Sequence, residues 1–190
     1  MELPTLLERC RQGDELAWEA FVHQFQRRIY GLATCYTSNA DEARDFAQDV
    51  FVRLYRTRAR WIDADRFVPW MIRVARNVCL DQVRARGRRP PVSEVAVDEL
   101  IDLAAPEGSP EEDYAARSRQ RLFYRALSRL TDLAREIIVL KEIQGLSLEE
   151  VASLLRVPLG TVKSRSNRAR IDLARNVLAL ERERQKGATT

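Results

Sequence analysis

The stretch Ser147–Arg170, SLEEVASLLRVPLGTVKSRSNRAR, constrains this chain more than any other. Ser147 followed three residues later by Glu150 is a capping box, which starts a helix. Leu148, Val151, Ala152 and Leu155 then repeat at helical spacing and give one apolar face. Val157-Pro158-Leu159-Gly160 ends that helix: Pro158 disfavours helical backbone at Val157, and Gly160 permits a sharp bend. Thr161 is expected to cap the next helix, where Val162, Ala169 and Leu173 point one way and Lys163, Arg165, Arg168 and Arg170 crowd the remaining surface. Two short helices around a tight turn, the second basic near its N-terminus, fit a DNA major groove. The competing reading is a solvated basic helix in an ordinary bundle.

Charge divides the chain in three. Residues 1–89 hold 16 Arg/Lys and 12 Asp/Glu, a net +4; residues 90–116 hold none and 8; residues 117–190 hold 16 and 8, a net +8. Two basic blocks flanking an acidic connector imply two polyanion-facing modules and a linker. Arg supplies 29 of the 32 cations. That preference suits bidentate phosphate or guanine contacts, although a G+C-rich genome produces the same bias.

Cys10, Cys35 and Cys79 are widely spaced and form no CxxC pair, so neither a zinc site nor a disulfide framework is indicated. Cys35 and Cys79 sit among apolar residues and read as core. His23 is the only histidine, which excludes a histidine-rich metal site. No metal, nucleotide or other cofactor motif is visible. No apolar run approaches the roughly 18 residues of a membrane span, and no signal peptide is present, so a soluble, cytoplasmic protein without membrane insertion is expected.

Periodicity is helical throughout. A short helix over Leu3–Arg11 ends near Gly13, and Asp14 caps a longer one to about Tyr36, with Ala17, Phe21, Phe25, Ile29, Leu32 and Ala33 as its stripe. A third runs from Ala40 to Arg58 and buries Ala43, Phe46, Ala47, Val50, Phe51 and Leu54. Its other face carries Asp41, Glu42, Asp45, Gln48, Asp49, Arg53 and Arg56. The helix dipole explains Asp41 and Glu42 but not Asp45 and Asp49, which lie beyond the first turn. Arg60–Arg66 reads as a loop. Phe67–Ala85 reads as a strong helix with Pro69 tolerated in its first turn. Its far end presents Arg73, Arg76, Asn77, Asp81, Arg84 and Arg86, and Gly87 and Pro90-Pro91 stop it.

Residues 90–112 contain four of the seven prolines and little periodicity, as a linker should. Helices follow over Glu112–Leu130 and Asp132–Gln144, the latter stopped by Gly145. The basic helix of the opening stretch continues to about Glu183, and the tail from Gln185 frays. The expected fold is all-α: two small helical domains, 1–89 and 113–190, joined by an acidic flexible linker over 90–112.

Four motifs now stand in order: GDELAWEAFVHQF, DEARDFAQDVFVRLYR, FVPWMIRVARNVCLDQVRARGRR and, after the acidic connector, LSRLTDLAREIIVLKEIQGLSLEEVASLLRVPLGTVKSRSNRAR. The chain resembles an extracytoplasmic-function (group four) RNA polymerase sigma factor over nearly its whole length. The resemblance implies core RNA polymerase as partner, through its β′ clamp helices and β subunit, together with promoter DNA and an anti-sigma factor, often membrane-anchored. Asp45, Gln48, Asp49 and Arg53 match the surface that docks on the clamp helices, which accounts for the two acids the dipole left unexplained. Asp63–Pro69 resembles the loop that captures a flipped −10 base, which brings in Asp63 and Arg66. Trp70, Arg73, Arg76, Asn77, Asp81 and Arg84 match the helix that reads and melts the −10 element. Phe67 and Trp70 are both expected to be largely core. Melting needs pockets for unstacked bases and a cationic track for the strand. Lys163, Ser164, Asn167 and Arg168 match positions that read the −35 element, with Arg165 and Arg170 on phosphates. The acidic connector takes the place of region three.

Departures from the family pattern are few. Thr131 stands where Pro is usual and can cap in its place. Ser166 replaces an apolar residue and weakens a core contact. Asn167 is an uncommon choice that bears on −35 preference. No small-molecule substrate and no enzyme activity are implied. One rival reading is a one-component helix-turn-helix regulator acting as a dimer without polymerase, but it needs a sensor or dimerisation module. A DNA enzyme needs clustered carboxylates for metal. Asp41, Glu42, Asp45 and Asp49 lie on one open helix face with no partner acid or histidine elsewhere.

Overall fold

A computed structural model describes residues 1–37, 39–61, 63–87 and 110–187. The chain divides into two compact units, Met1–Pro90 and Pro91–Thr190. Among the described residues every regular element is helical.

The first unit contains α1 (Leu3–Arg11), α2 (Glu15–Ala33), α3 (Ala40–Arg56) and α4 (Ala64–Ala85). Asp14 caps α2 by accepting from the Ala17 N–H at 3.1 Å. That backbone bond, with the Arg9 guanidinium 2.6 Å away, holds the Asp14 carboxyl below its usual range. Asn39 caps α3 through a 2.8 Å bond from the Asp41 N–H. An aromatic cluster forms the centre: Phe21 lies 4.8 Å from both Phe25 and Trp61, and Trp61 4.9 Å from Phe67, centroid to centroid. Trp61 also ties the α3–α4 connection down. Its Nε1 donates to the Leu54 carbonyl at 3.2 Å, and its own carbonyl accepts from Arg11 at 2.8 Å.

That connection is shorter than the sequence indicates. Arg58–Arg60 forms one 3₁₀ turn, and α4 already begins at Ala64, three residues before Phe67. The expected loop over Arg60–Arg66 is therefore half helix. Pro69 consequently falls in the second turn rather than the first, as the sixth residue of α4. It leaves the Asp65 carbonyl without its usual donor four residues on. Burial of Phe67 against the aromatic centre, with that of Met71 and Ile72, outweighs that local cost.

The second unit is described from residue 110. The acidic connector, expected over 90–112, lies outside the described residues up to 109, as do Arg88, Arg89 and the last three residues. Helix α5 spans Pro110–Ser128. Helix α6, Asp132–Ile138, runs on as a π turn, Val139–Ile143, and Gly145 stops it with φ +74°. Then come α7 (Leu148–Leu155) and α8 (Leu159–Gly187). Arg135, 3% exposed, donates to the carbonyls of Leu127, Ser128 and Leu130 at 3.3, 3.0 and 2.9 Å. A buried guanidinium thus satisfies carbonyls at and just beyond the end of α5, where helical donors run out; the Leu127 carbonyl also accepts from the Leu130 N–H at 3.1 Å. Thr131 occupies the N-cap position of α6, but its hydroxyl makes no capping bond.

The capping box forms as expected. Ser147 Oγ accepts from the Glu150 N–H at 3.1 Å, and Glu150 accepts from the Ser147 N–H at 2.7 Å. The bend after α7 does not fall on Gly160. It falls on Arg156, whose φ is +58°. The reason is Pro158: Val157 must be extended before it, so the left-handed closing position moves one residue back, onto a side chain that dislikes it. Helix α8 starts at Leu159, with the Pro158 carbonyl accepting from Thr161 and Val162 at 2.9 and 3.1 Å. Gly160 and Thr161 therefore lie inside its first turn, and Thr161 is not the cap. The C-terminal half of α8 packs on α5. Asn176 donates to the Ala126 carbonyl at 3.1 Å, and Arg129 grips Glu183 at 2.9 and 3.2 Å. The same arginine pulls the Glu183 carboxyl below its ordinary range.

Candidate nucleic-acid interface

Helix α3 buries Ala43, Phe46, Ala47, Val50 and Leu54. That choice turns Asp45, Gln48, Asp49 and Arg53 outward, and all four are exposed. The acids of the first turn are already engaged: Asp41 holds Arg44 at 2.5 Å, and Glu42 holds Arg86 at 2.9 Å. Asp49 is engaged differently. Its Oδ2 accepts a hydrogen bond from Gln82 Nε2 of α4. An open cleft of about 600 Å³ separates the two helices there, lined by Asp49 and Arg53 from α3 and by Asn77, Asp81 and Gln82 from α4.

On α4, Arg66, Trp70, Arg73, Asn77, Asp81 and Arg84 follow one another by three or four residues and so share a face. Arg66, Arg73, Asn77, Asp81 and Arg84 are exposed, while Trp70 and Arg76 are half-buried. Asp63 is exposed at the N-cap position. Phe67 is fully buried, but Trp70 is not: its ring lies 5.6 Å from Phe67 and one side stays open. Phe67 is wholly core, and Trp70 packs on it while keeping partial exposure. Arg84 pairs with Asp81 at 3.0 Å. Arg86 is drawn away from this face by Glu42 and lies 4.8 Å over the Phe46 ring.

On α8, Val162, Ser166 and Ala169 are buried. This leaves Lys163, Ser164, Arg165, Asn167, Arg168 and Arg170 exposed, and the structure sorts them. Ser164, Arg165 and Arg168 line a cleft of about 500 Å³ with Thr131, Thr161 and Asp172. Arg170 lies away from it, bound to Glu142 of the π turn at 2.9 and 2.5 Å. Ser166 Oγ is buried with no hydrogen-bond partner.

Gln82, Glu142 and Arg135 are residues that sequence reasoning passed over. Each acts on a residue far along the chain or on backbone carbonyls, and a periodicity argument registers neither. Among the described residues no group of three or more His, Cys, Asp or Glu could hold a metal ion, and no helix is long and apolar enough to cross a membrane. Cys10, Cys35 and Cys79 are buried and form no disulfide. Burial, with Asp14 nearby, pushes the Cys10 thiol up to about 11.

Residues 21–89 match the Sigma-70 region 2 family and residues 120–173 the Sigma-70 region 4 family. The RNA polymerase sigma-H factor of Pseudomonas aeruginosa is 32% identical over 187 residues, 94% of this chain and 95% of that one. The ECF RNA polymerase sigma-E factor of Haemophilus influenzae is 32% identical over 171 residues, 87% of this chain and 90% of its own. The chain is an extracytoplasmic-function sigma factor. The fold agrees: the sigma factor RpoE of Bartonella quintana, solved with the anti-sigma factor NepR, superposes with a TM-score of 0.58 over 84% of this chain and 97% of its own, at 24% identity. A sigma factor binds core RNA polymerase and directs promoter-specific initiation. Region 2 therefore spans most of α2 together with α3 and α4, and region 4 runs from late α5 to the middle of α8. A one-component regulator would have no use for a region 2, and this sigma factor has one.

Proposed function

We propose that the exposed face of α3, with Asp45, Gln48, Asp49 and Arg53, docks on the β′ clamp helices of core polymerase, whose β subunit the protein also meets. The α4 stripe then reads and opens the −10 element. Asp63, Arg66 and Trp70 meet the unstacked bases, and Arg73, Arg76, Asn77, Asp81 and Arg84 follow the strand. The N-terminal half of α8 reads the −35 element in the major groove through Lys163, Ser164, Asn167 and Arg168, with Arg165 and Arg170 on phosphates. Supporting this is one observation: Asp49 and Arg53 of α3 and Asn77 and Asp81 of α4 line a single cleft, so the docking and strand-reading sets adjoin within one compact unit. The working segments are region 2 at 1–89, an acidic linker at 90–112 and region 4 at 113–190.

The protein performs no covalent chemistry, which belongs to the polymerase, and it works in the cytoplasm. An anti-sigma factor restrains it by covering the polymerase and DNA faces, as suits a stress or envelope-response regulon. A fold relative bound to an anti-sigma factor supports that control. Run-off transcription with purified core polymerase on a genomic promoter library is the test. Discrete transcripts sharing spaced −35 and −10 motifs are expected; transcripts no different from core polymerase alone would sink the reading.

A further inference from the structure

Asp49 and Gln82 stand 33 residues apart, on helices that pack side by side. Asp49 is exposed, and an exposed carboxylate on a helix normally samples its rotamers. Here it does not. The half-buried Gln82 donates its Nε2 to Asp49 Oδ2. The identity of the amide atom follows from chemistry, because an ionised carboxylate only accepts. One oxygen is thus fixed from within the fold, and Oδ1 has no protein partner among the described residues. Gln82 itself lies beside Asp81 and little more than a turn from Asn77, in the cleft both share with Asp49 and Arg53.

We infer that Gln82 is a positioning residue for polymerase docking: it holds the Asp49 carboxylate in the orientation that a cation of the polymerase meets. The inference rests on the reading of Asp49 as a polymerase contact. Gln82 touches neither polymerase nor DNA in this scheme; it acts through Asp49. A side chain immobilised before binding spares the ordering cost at the moment of binding. For one side chain this corresponds to about a two- to tenfold gain in affinity. The same bond links the docking helix to the strand-reading helix, so that polymerase engagement and strand capture share one fixed geometry.

The test measures binding of the full-length protein to purified core polymerase for Gln82→Leu, Gln82→Lys, Asp49→Ala and the double variant Asp49→Ala/Gln82→Leu. Gln82→Leu keeps the bulk but cannot donate, so a loss of about two- to tenfold is expected. Gln82→Lys keeps a donor and should restore affinity. In the Asp49→Ala background, Gln82→Leu should change nothing further, an outcome that a general packing role would not produce. Tryptophan fluorescence, which reports this unit, checks that folding is unchanged. If Gln82→Leu unfolds it, Gln82→Glu carries the test: repulsion should weaken binding in the Asp49 protein and not in Asp49→Ala. A normal affinity for Gln82→Leu, or an equal loss with and without Asp49, overturns the inference while docking through Asp49 stands. No loss on Asp49→Ala removes the docking reading itself, and the inference with it.

Discussion

Arg170 and Glu142 are joined across 28 residues by two contacts to one carboxylate oxygen, from Nε at 2.9 Å and from a terminal guanidinium nitrogen at 2.5 Å. The pair ties the basic helix α8 to the π turn that ends α6. It also occupies a cation proposed to contact a DNA phosphate. Both side chains are substantially exposed, at 51% and 40%, so the pair is weak enough to exchange for a phosphate.

Glu142→Gln should therefore release Arg170. Non-specific DNA affinity should rise, and the slope of log affinity against log salt should steepen by about 0.9, the effect of one added phosphate contact. Fluorescence anisotropy on random duplexes from 50 to 200 mM salt, roughly the range over which such effects are large, measures it. An unchanged slope would mean that Arg170 reaches no phosphate.

Arg168→Ala should weaken binding to the −35 element by about 1–3 kcal/mol while leaving random duplex affinity nearly intact. Competition binding between the two duplexes reads the difference. An equal loss on both would make Arg168 a phosphate contact.

Asn77→Ala should lower open-complex formation at saturating polymerase. Asn77 is exposed on the α4 stripe, and its truncation leaves the core untouched. Permanganate footprints of the bubble provide the readout, and unaltered reactivity would withdraw Asn77 from the −10 set.

Arg135→Ala should destabilise the second unit by about 3 kcal/mol, because the Ser128 and Leu130 carbonyls lose their guanidinium donor and the Leu127 carbonyl keeps only the Leu130 N–H. All three tryptophans, Trp18, Trp61 and Trp70, lie in the first unit. Urea unfolding should thus show an early loss of helical circular dichroism with tryptophan fluorescence unmoved. Coincident, unshifted transitions would contradict the clamp.

Ser166→Ala should do the opposite. It removes a buried hydroxyl that has no partner and raises the stability of the same unit by about 1 kcal/mol, without touching the exposed side chains of α8. A dichroism midpoint at or below that of the parent would count against it.

How far the sequence reaches can be judged residue by residue. The stripe Phe21, Phe25 and Ile29, the Asp14 cap, the Ser147–Glu150 box and the Gly145 stop were all legible, because each depends on residues within about a turn of one another. The start of α4 was not. Local signals favoured a loop up to Arg66 and a proline in the first turn, and burial of Phe67, Met71 and Ile72 extended the helix backwards past both. Local signals put the bend after α7 on Gly160, the residue there that tolerates it easily. The chain instead bends at Arg156, because Pro158 sets the register.

The sequence by itself determined that this chain is all helix, which faces are apolar, and that its motifs are those of an extracytoplasmic-function sigma factor. The first two follow from spacing along one helix, and the third from the resemblance of its motifs, in their order, to that family. Only the tertiary structure decided which of the exposed charges are engaged. Asp49 is held by Gln82, Arg86 by Glu42 and Arg170 by Glu142, whereas Ser164, Arg165 and Arg168 line a cleft. A hydrogen bond or ion pair between helices depends on where separate elements come to rest, and periodicity along either helix carries no information about that distance.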